Sequence, residues 1–198
     1  MEFQGYELRE YSPSVWSSTR VSNLTADYWE DKYSTKEAFM KLFHYIQGGN
    51  DRIAGLVCVT LVNMKVTRHY GKVAKLSQTT NETMDMTVPV VSSHAKDEVW
   101  MNFMVPANMS DNPPQPTNTD VEIYRAAKDE YFVRPFTTWI LSDLIYGDQL
   151  FAMEFNKLKA DLDRDGQSYT VDPMFFTAVY NGPWKIFNRY NEIWIMKK

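Results

Sequence analysis

"STKEAFMKLFHYIQGGN", residues 34–50, is the stretch on which the fold turns. Phe39, Leu42, Phe43 and Ile46 recur at the spacing of one face of a 3.6-residue helix. Ser34 or Thr35 supplies a cap-like start, and Gly48-Gly49 a stop. The spacing predicts an amphipathic helix, and such a helix must bury its stripe against another element. His44 borders that stripe without occupying it, with Met40 between.

On the N-terminal side, "YELREY" (6–11) alternates and leads through Pro13 to "VWSSTRV" (15–21), a strand pair with its turn at 12–14. On the C-terminal side, "EVWMNFMVP" (98–106) alternates as a strand, and "NPPQPTNTD" (112–120) is a proline-rich loop. "VEIYRA" (121–126) and "EYFVRPF" (130–136) then repeat the strand pair. A second helix is expected over about 142–163, stopping at Gly166, followed by strands "MFFTAVY" (174–180) and "NEIWIMK" (191–197). Both halves therefore read strand, strand, helix, strand, strand. That order predicts an α+β fold: two similar units joined in one antiparallel sheet or open barrel, the helices covering one side each.

Composition narrows the function. A chain of 198 residues, 44% apolar and 15% aromatic, has enough core for a single compact domain over 1–198. A net charge of -4, with no basic run interleaved with aromatics, argues against a nucleic-acid partner. The lone Cys58 permits no internal disulfide and favours a reducing compartment. "MEFQGYELREY" has no signal-type apolar core, so the expected location is cytoplasmic. The longest apolar run, 54–62, is about half of the roughly 20 residues a membrane helix needs, so no membrane span is expected. Residues 54–79 hold Lys65, Arg68, Lys72 and Lys75 and no acidic residue, an abrupt change of composition.

Reactive chemistry is sparse. His44, His69 and His94 fall in a helix, the basic segment and a loop, without metal-site spacing. No phosphate loop, serine elbow or Cys–His pair is present, so the chain reads as no enzyme. Asp161, Asp163 and Asp165 begin like a calcium loop, but Gly166 follows at once and Asp172 stands at the twelfth position, so they read as a solvated helix end. In "ETMDMTVPV" (82–90), Met84 and Met86 read as a pair on one face of a strand directed into the core, with Pro89 excused from ladder pairing.

Taken in order, "YELREY", "WSST" (16–19), "FMKLFHYIQGGN", "MTVPV", "NPPQP", "YFVRPF" and "AVYNGPWKIFNRYNEIWIMKK" resemble the SOUL heme-binding protein family over nearly all of the chain outside 54–79. The resemblance implies a distorted antiparallel β-barrel with two main helices, made of two β-α-β-β-like repeats. It also implies non-catalytic binding of heme or another porphyrin, as carrier or buffer, in a shallow apolar groove beside the first helix. Carried onto this chain, the groove residues are Lys36, Phe39, Phe43 and His44, with Lys185 of "PWKIFNR" near the porphyrin. Glu10 stands where some relatives carry a histidine, which leaves His44 as the candidate contact for the heme iron.

Relatives join "GGN" to the "MTVPV" strand by a short link, so residues 52–81 read as an insertion. Some relatives also carry signal peptides, and a preceding segment of that kind would make the location secreted. A rival implication concerns "FNKLKADLDRDG" (155–166), whose Leu158, Leu162 and Asp165 resemble a cell-death helix of Bcl-2-homology type. The partner would then be a Bcl-2-type protein.

Overall fold

Alternation gives each strand two unlike faces, and the pairing register decides where they point. The computed structural model describes residues 2–3, 5–21, 32–52, 81–95, 98–140, 147–182 and 184–198. In chain order the elements are β1 (Glu2–Phe3), β2 (Tyr6–Tyr11), β3 (Ser14–Arg20), α1 (Lys32–Ile46), β4 (Val90–Ala95) and β5 (Val99–Met104). Then come β6 (Val121–Ala126), β7 (Asp129–Thr138), α2 (Asp148–Arg164), β8 (Tyr169–Thr170), β9 (Met174–Val179) and β10 (Arg189–Lys197). The strands form one antiparallel, strongly curled sheet in the order β1-β2-β7-β10-β9-β4-β5-β3-β6, with β8 added beside β10.

That order exposes the repeat. Read outward from the β4–β9 pair, each half places its strands in the same sequence, and the first strand of each half crosses to the other: β2 pairs with β7, and β6 with β3. The halves are interlocked. Such a two-fold runs perpendicular to the sheet, so equivalent elements lie on the same face. Both helices accordingly pack on one face, where one on each side was expected. Met101, Ser92, Thr177 and Ile193 are successive cross-strand partners on that face. There α1 buries Ala38, Leu42, Tyr45 and Ile46 against Val15, Phe103 and Val121. At the other end of the same face α2 buries Leu158 and Leu162 against Phe132, Ile193 and Ile195.

Both helices also stop alike. Gly48 (φ 104°) follows α1, with Gly49 N–H donating to His44 O at 2.9 Å and Gly48 N–H to Tyr45 O at 3.2 Å. Gly166 (φ 64°) follows α2, with Gln167 N–H donating to Leu162 O at 2.9 Å and Gly166 N–H to Asp163 O at 3.2 Å. Each is the paired bonding of a Schellman cap, and a positive φ is what glycine supplies there.

Three expectations change. Residues 82–89 form no strand; β4 starts at Val90, because Met84 N–H bonds Ile46 O (2.8 Å) and the Thr87 hydroxyl bonds Met104 O (2.6 Å), which tethers the segment to α1 and β5. Met84 is thus buried while Met86 is 43% exposed, so the two do not share a buried face. His94 lies inside β4 and not in a loop, buried, stacked on Phe175 at 4.7 Å and bonded through Nε2 to Thr177 Oγ1 at 2.8 Å. All of the basic segment at 54–79, and all of the insertion read at 52–81 except residues 52 and 81, lie outside the described residues, as do residues 142–146 of the expected second helix.

Candidate functional site

Beside α1 the sequence repeats apolar side chains one residue beyond what the core can cover. Phe39 and Phe43 stand one turn apart, half-buried, with their rings stacked 5.9 Å apart and 13° from parallel. Phe39 is held from below by Phe103, edge-on at 5.2 Å. Met40, between them, is 50% exposed. The segment 84–90 runs back alongside the helix, tethered near Ile46 at one end and pairing Val90 with Phe103 at the other, and it exposes Met86 and Val88. The result is a partly open apolar strip flanked by a helix and an irregular segment.

Four of the five sequence-derived site residues lie on α1. Lys36 is exposed one turn before Met40, on the same stripe as Phe43. His44 is exposed at the helix end, its ring against Gly49, where an added Cβ would meet His44 Cδ2 at 2.7 Å. Lys185 is exposed in the β9–β10 loop between exposed Trp184 and Ile186. Arg189 stiffens that loop by donating to Gly182 O (2.7 Å) and Lys185 O (3.0 Å). The loop is tied to the chain just after β7, where Ile140 N–H donates to Ile186 O at 2.8 Å and Trp139 stacks on Phe187 at 6.4 Å, so Lys185 is not brought onto α1 with the other four. Met40 and Val88 were not among the residues read from sequence; their signal was an apolar side chain just off the buried stripe.

The second helix offers no comparable surface. Leu158 and Leu162 are fully buried, and Asp165 accepts from Tyr6 (2.9 Å) and Arg164 (2.8 Å). Asp161 pairs with Arg134 and Arg164, and Asp163 accepts from Tyr169. These carboxylates are engaged in ion pairs and hydrogen bonds at a helix end.

On the sheet face away from both helices, Asn102, Val91, Ala178 and Glu192 are successive partners. The sheet curls around this face so that β2 and β7 from one end and β3 and β6 from the other line one cavity of about 300 Å³. Its walls include Trp16, Trp100, Tyr124, Tyr131, Phe176 and Trp194. Behind Trp194 and Tyr11 sits Glu192, 1% exposed, which accepts from Tyr180 (2.7 Å), Trp194 Nε1 (2.8 Å), Tyr190 (2.8 Å) and Arg9 (2.7 Å). Burial pushes its carboxyl up, but these donors outweigh burial and hold it below the usual carboxylate range. Burial and the bond to Glu192 push the Tyr180 hydroxyl far up. The sequence reading missed this face. The signal was present in strands apolar on both faces, such as "VWMNFM" and "EIWIM", a pattern of two-sided burial.

Known proteins supply a context for this geometry. The model of the SOUL heme-binding protein family matches residues 1–73 and 60–196. Human heme-binding protein 2 is 28% identical over 98% of this chain and 78% of its own length. Heme-binding protein 1 of Xenopus tropicalis is 26% identical over 97% of this chain and 83% of its own. Among solved structures, a hydrolase from Listeria innocua superposes with a TM-score of 0.51 at 7% identity, covering 98% of this chain and 92% of that one. The SAV2435 protein bound to tetraphenylphosphonium superposes with a TM-score of 0.50 at 10% identity, over 100% and 94%. Likeness at such identities concerns the fold alone. The interlocked β-β-α-β-β halves and a family match spanning both of them make this chain a member of the SOUL heme-binding protein family.

Proposed function

We propose that the protein binds heme or a related tetrapyrrole on the apolar strip beside α1, without catalysis, as a carrier or buffer. The observation that carries this reading is the Phe39–Phe43 stack, half-covered and bordered by exposed Met40, Met86 and Val88, in a chain of a heme-binding family. A porphyrin is a large apolar plate with two carboxylates at one edge. Its face would gain roughly 25 cal/mol per Å² of apolar area removed from water on such a strip. Lys36 and Lys185 would meet the carboxylates from exposed positions, where each ion pair gives only about 0–1 kcal/mol. Affinity therefore rests on the aromatic stack and orientation on the lysines. His44, at the helix end, is the candidate contact for the iron.

The cavity on the opposite face fits heme less well, since no Lys, Arg or His is among the described residues that line it. The rival role, binding a Bcl-2-type protein through α2, needs Leu158 and Leu162, which the folded protein keeps in its core. That role would require α2 to leave the sheet. The cytoplasmic location rests on the single Cys58; among the described residues no helix is long and apolar enough to cross a membrane.

Titration of the purified protein with hemin tests the reading: a saturable Soret change at micromolar concentration is expected, and its absence overturns heme binding. In His44→Ala a shifted Soret maximum supports iron contact, whereas an unchanged spectrum removes His44 from that role and leaves the strip intact.

A further inference from the structure

The inner cavity has a composition that asks for a different ligand from the one proposed for α1. It is walled by aromatic rings, and among the described residues that line it Glu122 is the only charged side chain. Its indole and amide N–H donors are already used within the protein. The indole N–H groups of Trp16, Trp100 and Trp194 donate to Ser14 Oγ (2.9 Å), Glu98 Oε2 (3.2 Å) and Glu192 Oε2 (2.8 Å). Asn102 Nδ2 donates to Val91 O at 3.0 Å and Trp100 O at 3.2 Å, and its Oδ1 accepts from Ser18 at 2.7 Å. What the cavity presents to a guest is therefore ring surface and neutral hydroxyls, with no cationic side chain among the described lining residues to meet an anion.

At the rim, Glu122 and Tyr124 lie two residues apart on β6 and so face the same way, toward Ser18 and Trp16 of β3. Tyr124 is 59% exposed. A carboxylate beside exposed aromatic faces is the arrangement that attracts an organic cation: the ring quadrupoles and the negative charge act in the same direction. Glu192 takes no part in this, because Arg9 and three other donors saturate it. A volume of about 300 Å³ lies at the low end of ligand pockets and suits two or three fused rings.

We propose that the inner face of the curled sheet is a second ligand site, separate from the α1 strip, that takes a planar aromatic cation. The cation stacks among Trp16, Trp100 and Tyr124 with its charge toward Glu122. A porphyrin, bearing two carboxylates, belongs on the other face.

Isothermal titration of the full chain with N-methylacridinium, and separately with anthracene-2-sulfonate as an anion of similar shape, tests the proposal. Saturable binding of the cation, about tenfold or more tighter than the anion, is expected from the single carboxylate and the ring faces. Glu122→Gln, an exposed position on an intact strand, should weaken the cation by about three- to tenfold without weakening the anion. Tyr124→Ala should weaken the cation by a similar factor. Equal affinity for the two probes, an undiminished cation affinity in Glu122→Gln, or displacement of the cation by hemin in competition would each overturn it. Met40→Glu should weaken hemin and leave acridinium binding unchanged, whereas a wild-type chain that binds acridinium without any saturable hemin binding refutes only the heme reading.

Discussion

α1 and α2 occupy equivalent places in the two halves, end in the same glycine-capped geometry, and each buries leucine completely, Leu42 in one and Leu158 and Leu162 in the other. Their solvent edges differ. Along α2, Arg134 of β7 reaches Glu154 (2.7 Å) and Asp161 (2.8 Å), and Tyr6 reaches Asp165. Burial would push the Glu154 carboxyl up, but hydrogen bonds from Lys157 and Arg134 hold it below the usual range. Along α1 the ion pairs gather on one flank, where Lys41 meets Glu37 and Asp120 at 3.0 Å, and the other flank is left to Phe39, Met40 and Phe43. A helix edge closed by charges is a finished surface. An edge left apolar beside an irregular segment is where a flat ligand can replace water.

The comparison breaks most visibly in the core. Leu42→Ala and Leu162→Ala should each cost about 2–5 kcal/mol, and by similar amounts, because both side chains are fully enclosed. Denaturant unfolding checks this, and a large asymmetry would deny the energetic equivalence of the halves.

Next in size is the acid response of the seam where His94 of β4 packs against Phe175 and Thr177 of β9, together with the α2 edge. Burial pushes the His94 imidazole down to about 3, whereas in the unfolded chain it titrates near 6.5. The unfolded state therefore binds the proton first. The stability from neutral His94 is fully present above about pH 6.5 and is lost progressively as pH falls toward 3. Glu192, Glu154 and Asp165 add their losses only lower, as the pH falls through and below the ordinary carboxylate range. Unfolding curves between pH 7 and 5 should accordingly fall in the wild type and flatten in His94→Gln.

The caps come third. Gly48→Ala should cost about 1–3 kcal/mol and Gly166→Ala about 1 kcal/mol. The reason for the order is that a Cβ at residue 48 would meet Asn81 Cβ at 3.2 Å, whereas at residue 166 it meets nothing within 4 Å. Equal thermal shifts would mean that the contact with Asn81 yields freely.

The smallest effect on stability gives the sharpest test of function. Met40 and Met153 are exposed to 50% and 54% on α1 and α2. Changing either to Glu should alter stability by no more than about 0.5 kcal/mol. Only Met40→Glu should weaken hemin binding; equal loss in both variants would break the assignment of the ligand to the α1 edge.

Much of this architecture was legible in the order of residues. The helical stripe from Phe39 to Ile46, the stops at Gly48 and Gly166, and the alternating strands follow local rules of period and dihedral that a short window contains. So does the β-β-α-β-β plan of each half. His94 was misread as a loop residue because its burial comes from Phe175 and Thr177, more than 80 positions away in the chain. Met84 and Met86 were misread because a hydrogen bond to Ile46, and not strand periodicity, governs their segment.

By itself the sequence determined most of the element types and the repeat, since each depends on neighbours within a few turns. Only the tertiary structure decided that both helices share one face and that Glu192 is satisfied by four donors. It alone also brought Trp16, Tyr124, Tyr131 and Trp194 together around a cavity. These follow from the exchange of first strands between halves and from the curl of the sheet, which are long-range pairings that no local spacing encodes.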